Sequence, residues 1–202
     1  MLNKSIILNK ALELYNKDGI EYVGVRPLAA SMGLKQGNIT YYFPMKEDVV
    51  DAIWLEFEAA ITPIWQVRED ITLKDFFEIL EKNCVIQYKY RCLSKSLVHL
   101  ITQYTKVSEK IRKEERRKKL VIQKWLNGMV EKKLLKELSE GEVNLLLTEI
   151  DFILNFWIIE ASISHPNLSE KRLIKHYMGL VMLKLKMYST KKGGEELEVL
   201  IS

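Results

Sequence analysis

The chain is poor in residues that interrupt helices: 202 positions hold only four prolines and nine glycines. No stretch alternates apolar and polar residues for long without also showing helical spacing, so an all-α fold is expected. Cysteines are equally few. Cys84 and Cys92 lie eight positions apart with no CxxC partner, which argues against a disulfide framework or a thiol-based zinc site. Free thiols fit the cytoplasm. Three histidines, His99, His165 and His176, form no HExxH pattern, and GxSxG and glycine-rich phosphate loops are missing as well. The expectation is no enzyme, no cofactor and no metal. No run of about twenty residues is free of charge, and no basic segment followed by an apolar one opens the chain, so neither a membrane span nor a secretion signal is expected. The formal charge of +4 is too small to argue for a nucleic-acid partner alone, since residues 1–46 carry six Lys or Arg against three acids. A case for DNA has to rest on pattern.

That pattern is present in Arg26 to Lys46, RPLAASMGLKQGNITYYFPMK. Leu28, Ala29 and Met32 give a short first helix its apolar face, and Ala29 is small where two helices must approach. Gly33 follows where a tight turn needs a residue tolerant of positive φ. Leu34 plugs the turn, and Ile39 and Phe43, four apart, set the inner face of a second helix against the first. Lys35, Gln36, Asn38, Thr40 and Tyr41 are left outside, where amides, hydroxyls and a phenol suit base edges and phosphate oxygens. Pro44 ends that helix after about two turns.

The stretch from Ile6 to Val50 resembles the DNA-binding domain of TetR-family transcriptional regulators. The resemblance is carried by ALELYNKDG, VRPLAASMGL and GNITYYFPMKED. It implies that Gln36, Asn38, Thr40 and Tyr41 face bases or the adjacent backbone and that Tyr42 and Lys46 meet phosphates; Arg26, Lys35 and Gly37 complete the expected DNA-binding set. Three positions depart from the family pattern. Thr40 stands where a tyrosine is usual, Gly24 replaces a Thr or Ser cap, and Pro44-Met45 replaces a polar pair. The first departure bears on base preference.

Around this stretch the helical signals continue. Asn3 or Ser5 is placed to cap a first helix through Ile7, Ala11, Leu14 and Tyr15, closed by Asp18-Gly19. Glu47 and Asp48 open a fourth helix, whose stripe of Val49, Ile53, Trp54, Phe57 and Ala60 runs to Pro63. Thr72 and Asp75 resemble a capping box for a helix to about Tyr90. A shorter helix follows from Leu93 to Tyr104, then a long one from Val107 to about Leu138. Between Lys106 and Lys119 that last helix holds eight Lys or Arg against three Glu. Glu109–Lys113, Glu114–Lys118 and Glu115–Lys119 are acid-before-base pairs at i,i+4, which surface support of a solvated helix explains without DNA.

Ser139 and Glu142 form a capping box for a helix to about Ser164 that is apolar almost all round, and Ser169 is placed to cap the last one. A helix without a polar face needs cover; a second copy of the chain is expected to supply it, the alternative being the core of a single chain. The TetR resemblance implies a dimer interface from these two helices, assigned to Phe156, Ile159, Tyr177, Gly179, Leu180 and Leu183. Polar or aromatic residues on otherwise apolar faces, Cys84, Tyr88, His99, Gln103, Trp125, Asn155 and Trp157, fit the lining of a ligand cavity.

The expected architecture is therefore about nine helices: a three-helix helix-turn-helix DNA-binding domain at 1–48, a helical regulatory and dimerisation domain at 49–190, and a mobile tail at 191–202. The function it implies is a cytoplasmic, ligand-responsive transcriptional regulator, a repressor that binds a palindromic operator as a homodimer. Its partners would be double-stranded DNA, a second copy and an unidentified small-molecule effector, with no membrane. The alternative is a ligand-binding or interaction protein that keeps the helix-turn-helix shape without reading sequence.

Overall fold

The computed structural model describes residues 2–201. Among them are eleven α-helices, one 3-10 turn and no strand beyond an isolated bridge between Leu135 and Ser189. The chain divides into two compact units, one reaching to Ala60 and including Lys89–Lys113, the other formed by Ile61–Tyr88 and everything from Glu114 on. The cut expected after residue 48 falls inside a helix.

The first unit begins with α1 (Lys4–Asp18), capped by Asn3, whose Oδ1 accepts from the Ile6 N–H at 3.0 Å. Gly19 ends it at φ 92°. Then come α2 (Val25–Ser31), α3 (Gln36–Thr40) and α4 (Lys46–Ile61). Ile7, Ala11, Leu28 and Ile39 are fully buried between the first three helices. Each large apolar side chain so buried contributes about 1.5 to 3 kcal/mol. Gly33 makes the α2–α3 turn at φ 66°, which a side chain would strain.

Returning to this unit are α6 (Arg91–Lys95), α7 (Leu97–Gln103) and the start of α8 (Thr105–Glu131). Sequence periodicity predicts a single helix from Leu93 to Tyr104, but the chain breaks at Ser96. The Ser96 hydroxyl is turned into the unit, where it accepts from the Ile20 N–H at 3.3 Å and donates to Glu21 at 2.7 Å. Lys110 pairs with Asp51, joining α8 to α4.

The second unit holds the turn Thr62–Ile64, α5 (Leu73–Lys89), the rest of α8, α9 (Glu140–Ser164), α10 (Glu170–Tyr188) and α11 (Lys191–Ile201). Both expected capping boxes form. Thr72 N–H and hydroxyl donate to Asp75 at 3.1 and 2.6 Å, and Ser139 does the same to Glu142 at 2.8 and 2.7 Å. These bonds hold both carboxyls below their ordinary pKa. Ser169 occupies the cap position of α10 but its side chain makes no capping bond.

Three expectations are corrected. The long helix stops at Glu131 rather than near 138, because Lys133 takes φ 58° and the chain turns back on itself, Leu134 N–H reaching the Met129 carbonyl at 2.9 Å. The stretch expected to be a mobile tail is helix α11, anchored by the fully buried Leu197 and by Thr190, which donates its N–H to the Leu134 carbonyl at 3.0 Å. In the basic run, Arg117 pairs with Glu114 and Lys118 with Glu115, both at i,i+3. Lys118 is 3 % exposed and also meets Asp151 of α9 at 3.3 Å, so it belongs to the interior.

Candidate nucleic-acid interface

Helix α3 is five residues long because its inner face is only Ile39, fully buried, with Phe43 buried just beyond its end. It is about one turn shorter than the spacing predicts, ending at Thr40 before the Tyr41–Tyr42 turn. Lys35, Gln36, Gly37 and Asn38 are all exposed, Thr40 is half-buried, and Tyr41 is 82 % exposed. The Asn38 Oδ1 accepts from the Lys35 N–H at 3.2 Å, closing the first turn and leaving the amide Nδ2 as the outward group. The Thr40 hydroxyl lies 3.4 Å from the carbonyls of Gln36 and Gly37, its donor turned back on the helix. Arg26 is exposed on α2.

Tyr42 is half-buried, and its hydroxyl donates to the Leu2 carbonyl at 2.9 Å while its ring meets Tyr41 edge-on at 5.0 Å. Lys46 opens α4 and is also half-buried, its ammonium donating to the Glu21 carbonyl at 3.3 Å. Burial holds its pKa below the ordinary lysine value, against the opposing pull of Glu21 and Glu47. Arg26, Lys35, Gln36, Gly37, Asn38, Thr40, Tyr41, Tyr42 and Lys46 thus all lie on α2, at the cap position of α3, on α3, in the turn after it and on the first residue of α4.

The seven residues expected to line a cavity are split. His99 and Gln103 sit on α7 in the first unit, His99 edge-on to Tyr104 at 5.4 Å and Gln103 exposed. The other five share the second unit. Tyr88 stacks on Trp157 at 6.1 Å, Trp157 Nε1 donates to Gln87 at 2.8 Å, and Asn155 accepts from Lys118 and donates to Glu115. Trp125 stacks on Trp65, and the Cys84 thiol, pushed up to about 12 by burial, lies 3.9 Å from the Met178 sulfur. Trp65, Asn83, Gln87 and Lys118 were not legible as site candidates: Lys118 was hidden in the basic run, while Trp65 follows a proline turn with no periodicity around it.

On α9 and α10, Phe156, Leu180 and Leu183 are 41, 40 and 59 % exposed, beside Phe152 at 63 % and Ile163 at 77 %. Ile159 and Gly179 are half-buried. Tyr177 is turned inward, its hydroxyl donating to Glu160. Among the described residues no three His, Cys, Asp or Glu are grouped to hold a metal ion, and no helix is long and apolar enough to cross a membrane.

Residues 7–53 match the model of the bacterial regulatory proteins of the tetR family, and residues 56–197 match the TetR model described as a bacterial transcriptional repressor. The chain belongs to the TetR family. Among solved TetR-like structures, a TetR-family transcriptional regulator from Marinobacter aquaeolei VT8 is 21 % identical at a TM-score of 0.90, with 100 % of this chain and 98 % of that chain covered. SmeT, repressor of a Stenotrophomonas maltophilia multidrug efflux pump, solved with triclosan, is 14 % identical at a TM-score of 0.63, covering 93 % and 92 %. A putative regulator from Saccharomonospora viridis, solved with choline, is 15 % identical at 0.63, covering 88 % and 94 %. Identities this low establish the shared fold alone. No curated protein matches the sequence.

Proposed function

We propose that this TetR-family regulator is a repressor that reads a palindromic operator as a homodimer and releases it when a small molecule binds the second unit. The carrying observation is α3: Gln36, Gly37 and Asn38 stand exposed at its start while Ile39 alone fixes it to the core. Side chains at the start of a recognition helix reach base edges, while flanking groups such as Lys46 hold phosphates. The uncovered apolar face of Phe152, Phe156, Leu180 and Leu183 supports a second copy, since a monomer gains nothing by exposing it. Release by a ligand is supported by the family and by the aromatic and polar interior of the second unit. The experiment is selection of bound sequences from random duplex DNA. A palindrome with half-sites about one helical turn apart, or a multiple of that, is expected; binding without sequence preference overturns the reading.

A further inference from the structure

Helix α8 carries six cations that no acid answers. Lys106, Arg112, Lys113, Arg116, Lys119 and Lys124 are exposed, and among the described residues none of them makes a hydrogen bond or an ion pair. The acids that sequence spacing offers them are engaged elsewhere: Glu114 takes Arg117 at 2.6 Å, and Glu115 takes Lys118 at 2.8 Å together with the Asn155 amide. Glu109 is exposed and has no ion-pair partner among the described residues either. The i,i+4 pairs that would make this an ordinary solvated face do not form.

At 3.6 residues per turn, the six cations fall within about 140° of the helix circumference and extend over about 27 Å of its length. Val107, Val121, Ile122 and Trp125, on the opposite side, are buried. Against the single acid Glu109 the face has a surplus of five charges, where the whole chain carries +4. Arg112, Lys113 and Lys119 each lie three or four positions from Arg116, a spacing at which like charges destabilise a helix. An anion brought from outside relieves that repulsion.

We propose that this face of α8 holds duplex DNA by its phosphates without reading sequence, engaging a segment outside the one that α3 takes. Charge complementarity selects the partner. Duplex DNA carries a charge about every 1.7 Å of its axis, so about 27 Å of helix runs alongside roughly sixteen phosphates. Interfaces with DNA are strongly positive, whereas protein interfaces are depleted in lysine and enriched in aromatic rings, and no aromatic ring is exposed on this face. A lipid surface would need a broad apolar face to anchor in, and Leu120 is the exposed apolar residue here. Duplex DNA is also the partner that the helix-turn-helix of a TetR-family chain brings to the molecule. The contact takes any sequence, so it does not depend on the operator reading proposed above.

The test compares two variants of the full-length protein. One combines Arg112→Gln, Lys113→Gln, Arg116→Gln and Lys119→Gln; the other removes the same four charges from exposed positions on α5 and α10, as Lys82→Gln, Lys171→Gln, Arg172→Gln and Lys175→Gln. All eight side chains are exposed, so both variants should keep the wild-type melting temperature. Each is titrated at several salt concentrations against a scrambled duplex about six helical turns long, and against phosphatidylglycerol vesicles. The α8 variant should bind the duplex at least tenfold more weakly than wild type at low salt, its salt dependence flattened by about three counterions per subunit. The control should stay within about twofold of wild type. If the α8 variant binds as the wild type does, or if the control loses as much, the proposal is overturned. Vesicle binding lost with DNA binding kept gives this face to lipid and overturns it equally. A wild type that selects no operator, yet holds scrambled duplex through α8, keeps this contact and loses the reading proposed above.

Discussion

Asn16 accepts the backbone N–H of Cys92 at 2.9 Å, while its own Nδ2 donates to the Lys89 carbonyl at 2.8 Å. One amide on α1 thereby holds the end of α5 and the start of α6 across the break at Tyr90, inside the unit that carries the helix-turn-helix. Asn16→Ala removes both bonds and leaves a buried N–H without an acceptor. The expected loss is about 2 to 3 kcal/mol of unfolding free energy in urea titration. A loss below about 1 kcal/mol would mean that the break is held by packing instead.

Gly193 and Gly194 are adjacent in α11 but not equivalent. A Cβ on Gly193 would lie 2.0 Å from the Leu134 carbonyl oxygen, whereas one on Gly194 meets nothing closer than the Ser189 hydroxyl at 3.5 Å. Gly193→Ala should therefore lift α11 from the α8–α9 connection, costing about 1 to 3 kcal/mol and speeding proteolysis after Thr190. Gly194→Ala should be neutral or slightly stabilising, because alanine is the better helix former. Equal effects of the two substitutions would refute the close approach.

The helix-turn-helix was legible because its constraints are local. Gly33, Ile39 and Pro44 each fix one turn or one face, and both capping boxes are three-residue patterns. What stayed hidden is decided by distant partners. Ser96 breaks a helix only because Ile20 and Glu21 take its hydroxyl, and Lys118 is buried only because Asp151 and Asn155 come from α9. Gly193-Gly194 looks like a mobile tail until Leu134 is placed against it. The apolar circumference of α9 did not say in the sequence which side remains open in one chain. Phe152, Phe156 and Ile163 mark that side.

Lys46 gives the proposed DNA binding a dependence on pH. Burial lowers its folded pKa, and a phosphate favours the ammonium, so binding weakens as pH rises through that lowered value. The loss should start below the ordinary lysine range, and Lys46→Arg, which stays charged, should remove it. Affinities measured from pH 7 to pH 10 at constant salt check this. An alkaline loss identical in wild type and Lys46→Arg would place its origin elsewhere.

Leu180 is 40 % exposed and Leu183 59 % in the single chain. An aspartate at Leu180 is therefore readily solvated in a monomer but becomes an unpaired buried charge in a dimer. Leu180→Asp should sediment as a folded monomer at concentrations where the wild type is a dimer. A wild type already monomeric at micromolar concentration would remove the proposed interface.

Whether Arg26 to Lys46 reads sequence is tested most directly by one titration. Wild type, Gln36→Ala and Lys46→Ala are each measured by fluorescence anisotropy on the selected operator and on a scrambled duplex, at several salt concentrations. Gln36→Ala should lose about 1 to 3 kcal/mol on the operator and much less on scrambled DNA, because an amide-to-base bond carries sequence information. Lys46→Ala should weaken both duplexes alike and flatten the salt dependence by about one counterion per subunit. If both variants bind every duplex as the wild type does, this stretch is not a reading head.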